Sequence, residues 1–418
     1  MNEQLDPLFR RHAAMLVEEA LTDTPIVVIQ GARQVGKSTL AKQIADGRRA
    51  VQVSLDDADA LDFAQFDPAG FVAQGADQLL VVDEAQRAPQ IILPLKAEVD
   101  RDRRPGRFLL TGSSDLLRVR GAGDSLAGRA ETIRLFPLSQ GEIARRAEPE
   151  RFVATLAEAP NSVHGIGLQD LPERLAGGGF PEPLKRPTPR AQARWFDSYV
   201  ERLASHDANE ANRGRFARRF RGLLTVVAAR GQSELNVARL ARDSGIPETS
   251  LAEYLDLAES MYLLERLPAW GLDLLGRTIR RPKVGLVDTG LGAHLARFRP
   301  AQAGQVPGRE AFGALLEQFV AGELRRQRSW SPTPYELYHY REDARREVDL
   351  VVELEDSTII GVEVKATAHP GRAHLAQLEA LRERVGGRLR RGVLLHTGRA
   401  VQHRDGWLSV LPVDSLWS

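Results

Sequence analysis

The sequence of 418 residues contains no cysteine, only six lysines and no hydrophobic segment of membrane-spanning length. The missing cysteines exclude disulfide bonds, zinc ribbons and thiol nucleophiles. A bilayer-spanning helix needs about 20 consecutive apolar residues, and no run approaches that length. The first residues, MNEQLDPLFRRHAAMLVEEA, also lack the apolar core and cleavage site of a signal peptide. These absences predict a cytoplasmic protein without a membrane partner.

The composition is that of an ordinary globular protein, with 43% hydrophobic and 27% charged residues and a net charge of +1. A chain of this length exceeds a single hydrophobic core, so two or three domains are expected. The near-neutral charge argues against a protein that coats a polyanion, although arginines cluster at 213–221, 277–283 and 388–391. Such clusters are more often solvated surface than nucleic-acid contacts. Because arginine is far commoner than lysine here, a lysine inside a motif indicates a position that needs an ammonium group.

Residues 31–39 read GARQVGKST and follow the apolar run 25–29. This is the Walker A pattern, G-x-x-x-x-G-K-[ST], between a predicted buried strand and a predicted helix. Its glycines let backbone N–H groups point at phosphate oxygens, and the helix N-terminus adds partial positive charge. The pattern predicts a nucleoside triphosphate site, with Lys37 on the β- and γ-phosphates and Ser38 on Mg²⁺. The predicted nucleotide-binding residues of this loop are Gly31, Ala32, Arg33, Gln34, Val35, Gly36, Lys37, Ser38 and Thr39.

Two further apolar strands end in polar residues. Residues 79–82 lead into Asp83 and Glu84, a Walker B arrangement in which Asp83 is expected to bind Mg²⁺ and Glu84 to orient the attacking water. Residues 107–111 lead into Ser113 and Ser114. Either serine could contact the γ-phosphate or the lytic water, and a helix-capping role is an equal alternative.

The alternation of these strands with helical stretches predicts an α/β fold with a doubly wound parallel sheet. Arg129 follows the third strand and could neutralise charge on the γ-phosphate, either in cis or from a neighbouring subunit. A surface arginine on a loop is the alternative interpretation. Action in trans would require a homo-oligomer, which the sequence leaves open.

The middle of the chain, from about 190 to 270, has helical periodicity. Residues 235–257 predict a helix-turn-helix, with a first helix over 237–243, a turn at Gly245 and a second helix that begins near Pro247. Residues 262–267 would supply the wing strand of a winged helix. The second helix is acidic and carries no arginine, which favours a structural role over sequence-specific DNA reading. The basic stretch 213–221 could still contact a nucleic-acid backbone.

Residues 347–365 predict two strands joined by a tight turn. Asp349 opens the first strand, and Glu363 and Lys365 project from one face of the second because they are two residues apart. Asp349 and Glu363 could hold a divalent cation that activates water for phosphodiester cleavage. Lys365 could position that water or stabilise the transition state. A charged surface hairpin is the alternative interpretation.

Two flanking helices could complete this carboxylate–lysine set. Glu317 lies in a predicted helix over 312–320 and could point into the same site as a third metal ligand. Gln377, on a helix predicted over 373–384, could supplement it. The order of helix, strand, strand and helix predicts a nuclease-type fold, whereas cleavage activity is a separate question that the sequence leaves open.

Together these motifs resemble the bacterial and archaeal family of AAA-type ATPases (AAA_14) that carry the C-terminal domain of unknown function DUF4143. The resemblance covers residues 8–410. It is carried by GARQVGKSTL, VSLDD with Asp56, VVDEAQRAP, LTGSSDLL, LAGRAETIRLFPLS, GGGFPEP, GALLEQFV, EVDLVVE and GVEVKA. The last three segments look like the PD-(D/E)XK nuclease core. Ala32 stands where many relatives place proline.

The resemblance implies an ATPase of the AAA or STAND-like P-loop group that uses ATP and Mg²⁺. It implies catalytic roles for Glu84, Arg129, Asp349, Glu363 and Lys365, and metal ligation by Ser38, Asp83, Glu317, Asp349 and Glu363.

The predicted domains are a P-loop ATPase domain at 1–145, a helical lid and winged-helix-like region at 146–275, and a restriction-endonuclease-like α/β domain at 276–418. We expect an ATP-hydrolysing protein with a nuclease-like domain that acts on or binds DNA. The alternative is a STAND-like ATPase switch whose C-terminal domain binds DNA or a partner protein without cleavage.

Overall fold

The computed structural model describes residues 9–113, 126–206, 213–271, 281–306, 308–343 and 346–418. The chain divides into two compact units. The first contains the residues up to Leu138 together with Ser260–Tyr262, and the second contains Ser139–Glu259 and Leu263–Ser418. The predicted middle and C-terminal domains both lie within the second unit, apart from Ser260–Tyr262. The three-domain boundaries stay a prediction.

A five-stranded parallel sheet in the order β2-β3-β4-β1-β5 forms the core of the first unit. Every residue of the central strands β1 and β4 is buried, as the continuous apolar runs of parallel strands predict. The α/β fold class with a parallel sheet is therefore confirmed. The strands are β1 Ile26–Gln30, β2 Ala50–Ser54, β3 Leu79–Asp83, β4 Phe108–Gly112 and β5 Ala130–Arg134. The helices are α1 Ala14–Asp23, α2 Lys37–Asp46, α3 Ala58–Phe66, α4 Pro68–Ala73 and α5 Ile92–Arg101.

Strand register determines which loops of this sheet meet. Ile29 of β1 pairs with Thr111 of β4, and Val82 of β3 pairs with Leu110 of β4. The carboxyl ends of β1, β3 and β4 are thus neighbours at one edge of the sheet. In parallel α/β sheets ligands bind at this edge, so the segments that follow these strands define the candidate site.

The second unit contains a six-stranded mixed sheet in the order β13-β14-β12-β11-β10-β9. Strands β9, β10 and β11 are antiparallel, and β12 returns parallel to β11 after the intervening helix α16. Leu350 and Val362 pack in the same hydrophobic cluster as residues of α15, whereas Val351 and Ile359 pack with α16. The strands are β9 Tyr335–Arg341, β10 Glu347–Leu354, β11 Ile359–Lys365, β12 Leu389–His396, β13 Gln402–Arg404 and β14 Leu408–Pro412, and the two helices are α15 Gly308–Trp330 and α16 Ala376–Val385.

A three-stranded antiparallel sheet, β6-β8-β7, lies among the remaining helices of the second unit. The predicted first helix, the turn at Gly245, the second helix and a following strand are all present, whereas the winged-helix assignment stays a prediction. These strands are β6 Ser233–Glu234, β7 Leu264–Leu267 and β8 Lys283–Leu286. The helices are α6 Gln140–Ile143, α7 Phe152–Glu158, α8 Leu171–Gly177, α9 Pro181–Leu184, α10 Pro189–His206, α11 Arg213–Arg230, α12 Val237–Ser244, α13 Glu248–Ser260 and α14 Thr289–Leu295.

In the described part of the chain, no helix combines the length and the apolar character that crossing a membrane requires.

The glycine-rich segment that ends α8 is fixed by a buried aspartate. The Asp288 side chain accepts hydrogen bonds from the N–H of Gly179 at 2.7 Å and from the N–H of Leu291 at 2.8 Å, so it caps α14. Gly178 adopts φ +65° and ψ −157°, a backbone conformation that is almost restricted to glycine. A Cβ atom on Gly178 would lie 2.5 Å from an Asp288 oxygen and 2.7 Å from the Gly290 nitrogen. The GGGFPEP segment therefore has a structural role.

We expect Gly178→Ala to lower the free energy of unfolding by about 3–5 kcal/mol, because it adds a steric clash with the backbone to an unfavourable φ. Gly386 is the matched control, since its φ of +57° and ψ of −132° are similar and a Cβ there meets no atom within 4 Å. Gly386→Ala should cost only about 1–3 kcal/mol. Chemical denaturation of both variants measures the difference, and equal losses would contradict the steric explanation.

Candidate functional site

The Walker A segment forms the turn between β1 and α2. Gly36 adopts φ +102° immediately before α2, a conformation that favours glycine. A Cβ on Gly31 would lie 2.2 Å from the Leu135 carbonyl oxygen, so only glycine fits against the end of β5. The first amides of α2 follow directly, and their partial positive charge favours an anion at this position.

Lys37 is buried inside this turn. Its ammonium group donates hydrogen bonds to the carbonyl oxygens of Gly31 at 3.1 Å and Ala32 at 2.9 Å. Burial lowers the pKa of Lys37 to about 8, although the charges of Glu84 and Asp83 act in the opposite direction. A buried ammonium with incomplete charge compensation is a good partner for a polyanion.

Asp83 lies at the end of β3, next to the Walker A helix. The Ser38 hydroxyl donates to an Asp83 carboxylate oxygen at 2.8 Å, so the two predicted Mg²⁺ ligands are adjacent. Thr111 of β4 donates to the same Asp83 oxygen and accepts a hydrogen bond from the Glu84 N–H at 3.2 Å. Thr111 therefore holds the Walker B pair in place. The sequence interpretation did not select Thr111, although it ends a strand beside Ser113.

Glu84 adopts a left-handed backbone conformation, with φ +56° and ψ +42°. Such a conformation is unfavourable for a residue with a side chain and occurs often at functional sites. Its carboxylate contacts the Ser113 hydroxyl at 3.3 Å and the Gln86 amide. Ser113 is thus placed beside the predicted catalytic carboxylate, while Ser114 lies outside the described residues.

Arg129 is at the opposite end of the sheet from the Walker A turn. It immediately precedes β5, which is parallel to β1, and its side chain pairs with Asp100 at 2.7 Å. Since β1 is five residues long, about 16 Å separates the two ends. The predicted action of Arg129 in cis is therefore wrong, because the sheet register places it too far from the phosphates. Its action in trans stays a prediction.

A different arginine supports the Walker A turn. Arg11 is buried, and its guanidinium donates to the carbonyl oxygens of Val35 at 2.8 Å and Phe136 at 2.6 Å. It joins the turn to the chain that follows β5. Sequence reasoning could not identify this role, because Arg11 lies far before the Walker A motif and belongs to no pattern.

The second unit brings together the predicted carboxylate–lysine set. Lys365 lies 2.5 Å from a Glu363 oxygen and 3.6 Å from an Asp349 oxygen. Asp349 also accepts a hydrogen bond from the Val364 N–H at 2.8 Å. Glu363 is 1% exposed, so its carboxylate depends on the Lys365 ammonium for charge compensation. Burial and the nearby Asp349 charge raise the pKa of Glu363 to about 8, although Lys365 opposes the shift.

A second lysine, which the sequence interpretation missed, enters the same cluster. Lys283 is 2% exposed, and its ammonium lies 2.6 Å from a Glu317 oxygen and 2.8 Å from a Glu347 oxygen. Burial alone would lower the pKa of Lys283, but the charges of Glu317, Asp349 and Glu347 raise it. Burial and the charge of Asp349 raise the pKa of Glu317 to about 7 against the effect of Lys283. The scarcity of lysine was the one signal that could have identified Lys283.

The predicted metal ligands Glu317, Asp349 and Glu363 are close together, but their arrangement does not fit a metal ion. Lysine ammonium groups lie against all three carboxylates. Across the described ranges, no three histidine, cysteine, aspartate or glutamate side chains are placed to hold a metal. Gln377 is also at this end of the sheet, where its side chain accepts from the Glu347 N–H at 3.3 Å. The metal-site prediction is therefore corrected for this conformation, because the lysines neutralise the carboxylates.

The parallel sheet and its phosphate-binding turn define the first unit as a P-loop nucleotide-binding domain of the ATPase class. The family model AAA_14, an AAA domain, matches residues 23–144. Two domains of unknown function follow, DUF8612 at residues 168–302 and DUF4143 at residues 312–416. The predicted architecture of an AAA domain followed by DUF4143 is thereby confirmed, and DUF8612 was not predicted.

Similar proteins are known in other organisms. The chain is 28% identical over 361 residues to the uncharacterized protein Rv2008c of Mycobacterium tuberculosis, covering 86% of this chain and 75% of that protein. The uncharacterized protein Mb2031c of Mycobacterium bovis matches to the same extent. Among solved structures, the Walker-type ATPase PABY2304 of Pyrococcus abyssi is 14% identical with a TM-score of 0.44, covering 69% of this chain and 96% of that one. A TM-score of this size carries no information on function.

We expect Thr111→Val to retain nucleotide binding and to lower ATP turnover about 10- to 100-fold, because the Asp83 carboxylate and the Glu84 amide lose a shared partner. The side chains are nearly isosteric, so the fold should persist. Thr132→Val is the matched control, since Thr132 is an exposed residue on β5 of the same sheet. Phosphate release and nucleotide affinity measure the two effects. Unchanged turnover in Thr111→Val would contradict a positioning role.

Proposed function

We propose that the chain is a Mg²⁺-dependent ATPase coupled to a DNA-binding C-terminal domain of the PD-(D/E)XK nuclease type. The observation that carries the ATPase half is the 2.8 Å contact between Ser38 and Asp83 beside the buried ammonium of Lys37. Two hard oxygen donors and one cation converge on the phosphate-binding turn. This set fits a triphosphate with its magnesium ion.

Each residue has a distinct task in hydrolysis. Lys37 and the first amides of α2 bind the β- and γ-phosphates, and Ser38 and Asp83 hold Mg²⁺. Bound Mg²⁺ neutralises charge that develops on the transferred phosphoryl group. Glu84 orients the attacking water and accepts its proton, while Ser113 fixes the Glu84 carboxylate. The unfavourable backbone of Glu84 directs its side chain away from β3 and toward Ser113.

We expect Lys37→Ala to weaken ATP binding about 100-fold or more, because charge-assisted hydrogen bonds to phosphate are lost. Glu84→Gln should keep nucleotide affinity and lower turnover about 100- to 10,000-fold, because the general base is removed. Lys42→Ala is the matched control, since Lys42 is an exposed lysine on α2. A fluorescent ATP analogue and a phosphate-release assay separate the two effects. Full turnover in Glu84→Gln would remove Glu84 from the mechanism.

The strand order supports the assignment of the C-terminal domain. Helix α15, the antiparallel strands β9, β10 and β11, helix α16 and the parallel strand β12 follow one another as in a PD-(D/E)XK core. Asp349, Glu363 and Lys365 occupy the motif positions at one end of β10 and β11. This is a likeness of fold, and fold alone does not establish cleavage.

Binding without cleavage is favoured over cleavage by the state of the carboxylates. Asp349, Glu363 and Glu317 are neutralised by lysines, and the arrangement does not fit the metal ion that such nucleases need. No cleavage step is therefore assigned. If wild-type protein nicks DNA in Mg²⁺ or Mn²⁺ and Asp349→Asn does not, the domain is an active nuclease instead.

The arginines of α11 support DNA as the partner. Arg215 and Arg218 are exposed, and in the described part of the chain neither forms a salt bridge, in contrast to Arg221, which pairs with Asp197 at 2.9 Å. Arginines without a carboxylate partner are suited to phosphate contacts that do not read sequence. The acidic residues of α13 make that helix a poor sequence reader.

We expect the double variant Arg215→Ala/Arg218→Ala to weaken DNA binding about equally for all sequences. Removal of two phosphate contacts should reduce the salt dependence by about 2 in the slope of log K against log salt. The control is Arg221→Ala. The Arg221 guanidinium is already paired with Asp197, so its removal should weaken DNA binding less. Fluorescence anisotropy with labelled DNA at several salt concentrations measures affinity and slope. Unchanged binding in the double variant would exclude this surface.

A further inference from the structure

Lys283 does not belong to the element that carries the nuclease-type motif. It begins β8 of the three-stranded sheet, where it pairs with Glu234 of β6 and Leu267 of β7. The chain after β7 then runs beside β9 of the six-stranded sheet, with the Trp270 N–H donating to the His339 carbonyl oxygen at 2.6 Å. This connection brings β8 to the end of β10 where Glu347 and Asp349 lie.

Lys283 supplies the close positive charge for two carboxylates of the cluster. Four carboxylates converge at this end of the sheet, those of Glu317, Glu347, Asp349 and Glu363. Lys365 accompanies Asp349 and Glu363, whereas Glu317 and Glu347 share the Lys283 ammonium at 2.6 and 2.8 Å. Arg341 reaches only the outer side of Glu347, at 3.6 Å. Removal of Lys283 would leave Glu317 buried with no close cation in the described residues.

The Lys283 ammonium has the chemistry of a bound cation. It is buried, positively charged and contacts oxygen atoms of two carboxylates, one of them the predicted metal ligand Glu317. The buried Glu363 carboxylate adds further oxygen ligands to the cluster, where it contacts the Lys365 ammonium at 2.5 Å. A carboxylate set of this composition suits a hard divalent cation once a competing ammonium has left.

We propose that Lys283 is the resident cation of the C-terminal carboxylate cluster and excludes a divalent metal ion from it. The proposal rests on the nuclease-type assignment of this domain but not on the ATPase assignment. It explains why the motif residues are assembled while no metal site is formed among the described side chains.

The experiment measures Mn²⁺ binding to the EDTA-treated full-length chain in the absence of nucleotide. Wild type should show no saturable site at millimolar Mn²⁺. Lys283→Met, which keeps the apolar stem and removes the charge, should gain one site at least ten-fold tighter. Lys283→Met/Asp349→Asn should lose that site again, which assigns it to the cluster. Lys185→Met is the matched control, because Lys185 is exposed and pairs with Glu182 outside the cluster.

Two results would overturn the proposal. Equal Mn²⁺ binding by wild type and Lys283→Met, abolished in both by Asp349→Asn, would show a metal site that Lys283 does not block. No Mn²⁺ binding by a folded Lys283→Met would show that the cluster is no metal site even without the ammonium. Neither result changes the fold likeness, and DNA binding is measured separately by anisotropy, so failure of this proposal is distinguishable from failure of the proposed function.

A measurement that does not need Lys283→Met covers the case in which that variant does not fold. Mn²⁺ at 1 mM should shift the melting temperatures of the wild type and of Asp349→Asn by the same amount, because a ligand raises stability only when it binds the folded state. A Mn²⁺-dependent rise that Asp349→Asn abolishes would contradict exclusion by Lys283. ATP turnover, measured on the same samples, tests the ATPase half separately.

Discussion

The buried lysine ammonium is the interaction on which both sites depend. Moving a charge out of water is costly unless opposite charges or hydrogen bonds compensate it. Lys37 donates hydrogen bonds to two carbonyl oxygens, and burial lowers its pKa to about 8 despite the charges of Glu84 and Asp83. Lys283 touches two carboxylates, whose charges raise its pKa above the ordinary value despite burial. The first ammonium therefore gains from an arriving anion, whereas the second is already satisfied.

This difference in charge compensation separates the acid and lysine residues of the phosphate-binding turn from those of the C-terminal carboxylate cluster. In the first unit the carboxylates of Asp83 and Glu84 contact hydroxyl groups, and their charges favour the cation that accompanies a phosphate. In the second unit the carboxylates contact the lysines directly. A motif read from spacing alone shows that acids and a lysine meet, but it does not show how far each charge has been neutralised.

The residues of the nucleotide site that could be predicted from the sequence are those whose positions depend on local structure. The Walker A turn depends on adjacent glycines between one strand and one helix, and Asp83, Glu84 and Ser113 each follow an apolar strand. Parallel strands place their carboxyl ends at one edge of the sheet. The proximity of the residues that follow these strands could therefore be predicted. The prediction that Arg129 acts in cis is wrong because Arg129 precedes β5 instead of following it. Since β5 is parallel to β1, Arg129 lies at the opposite end of the sheet from the phosphate-binding turn.

Lys283 could not be predicted by the same reasoning, because its neighbours come from two other elements. Glu317 lies on α15 and Glu347 on β10, and only the run of chain from β7 beside β9 brings β8 to them. The ion pairs of Lys283 thus join the three-stranded sheet to the six-stranded sheet. It follows that Glu317 and Glu347 would lose their shared ammonium if β8 shifted by more than the length of an ion pair. The charge beside the Asp349, Glu363 and Lys365 motif therefore depends in part on a strand outside the motif.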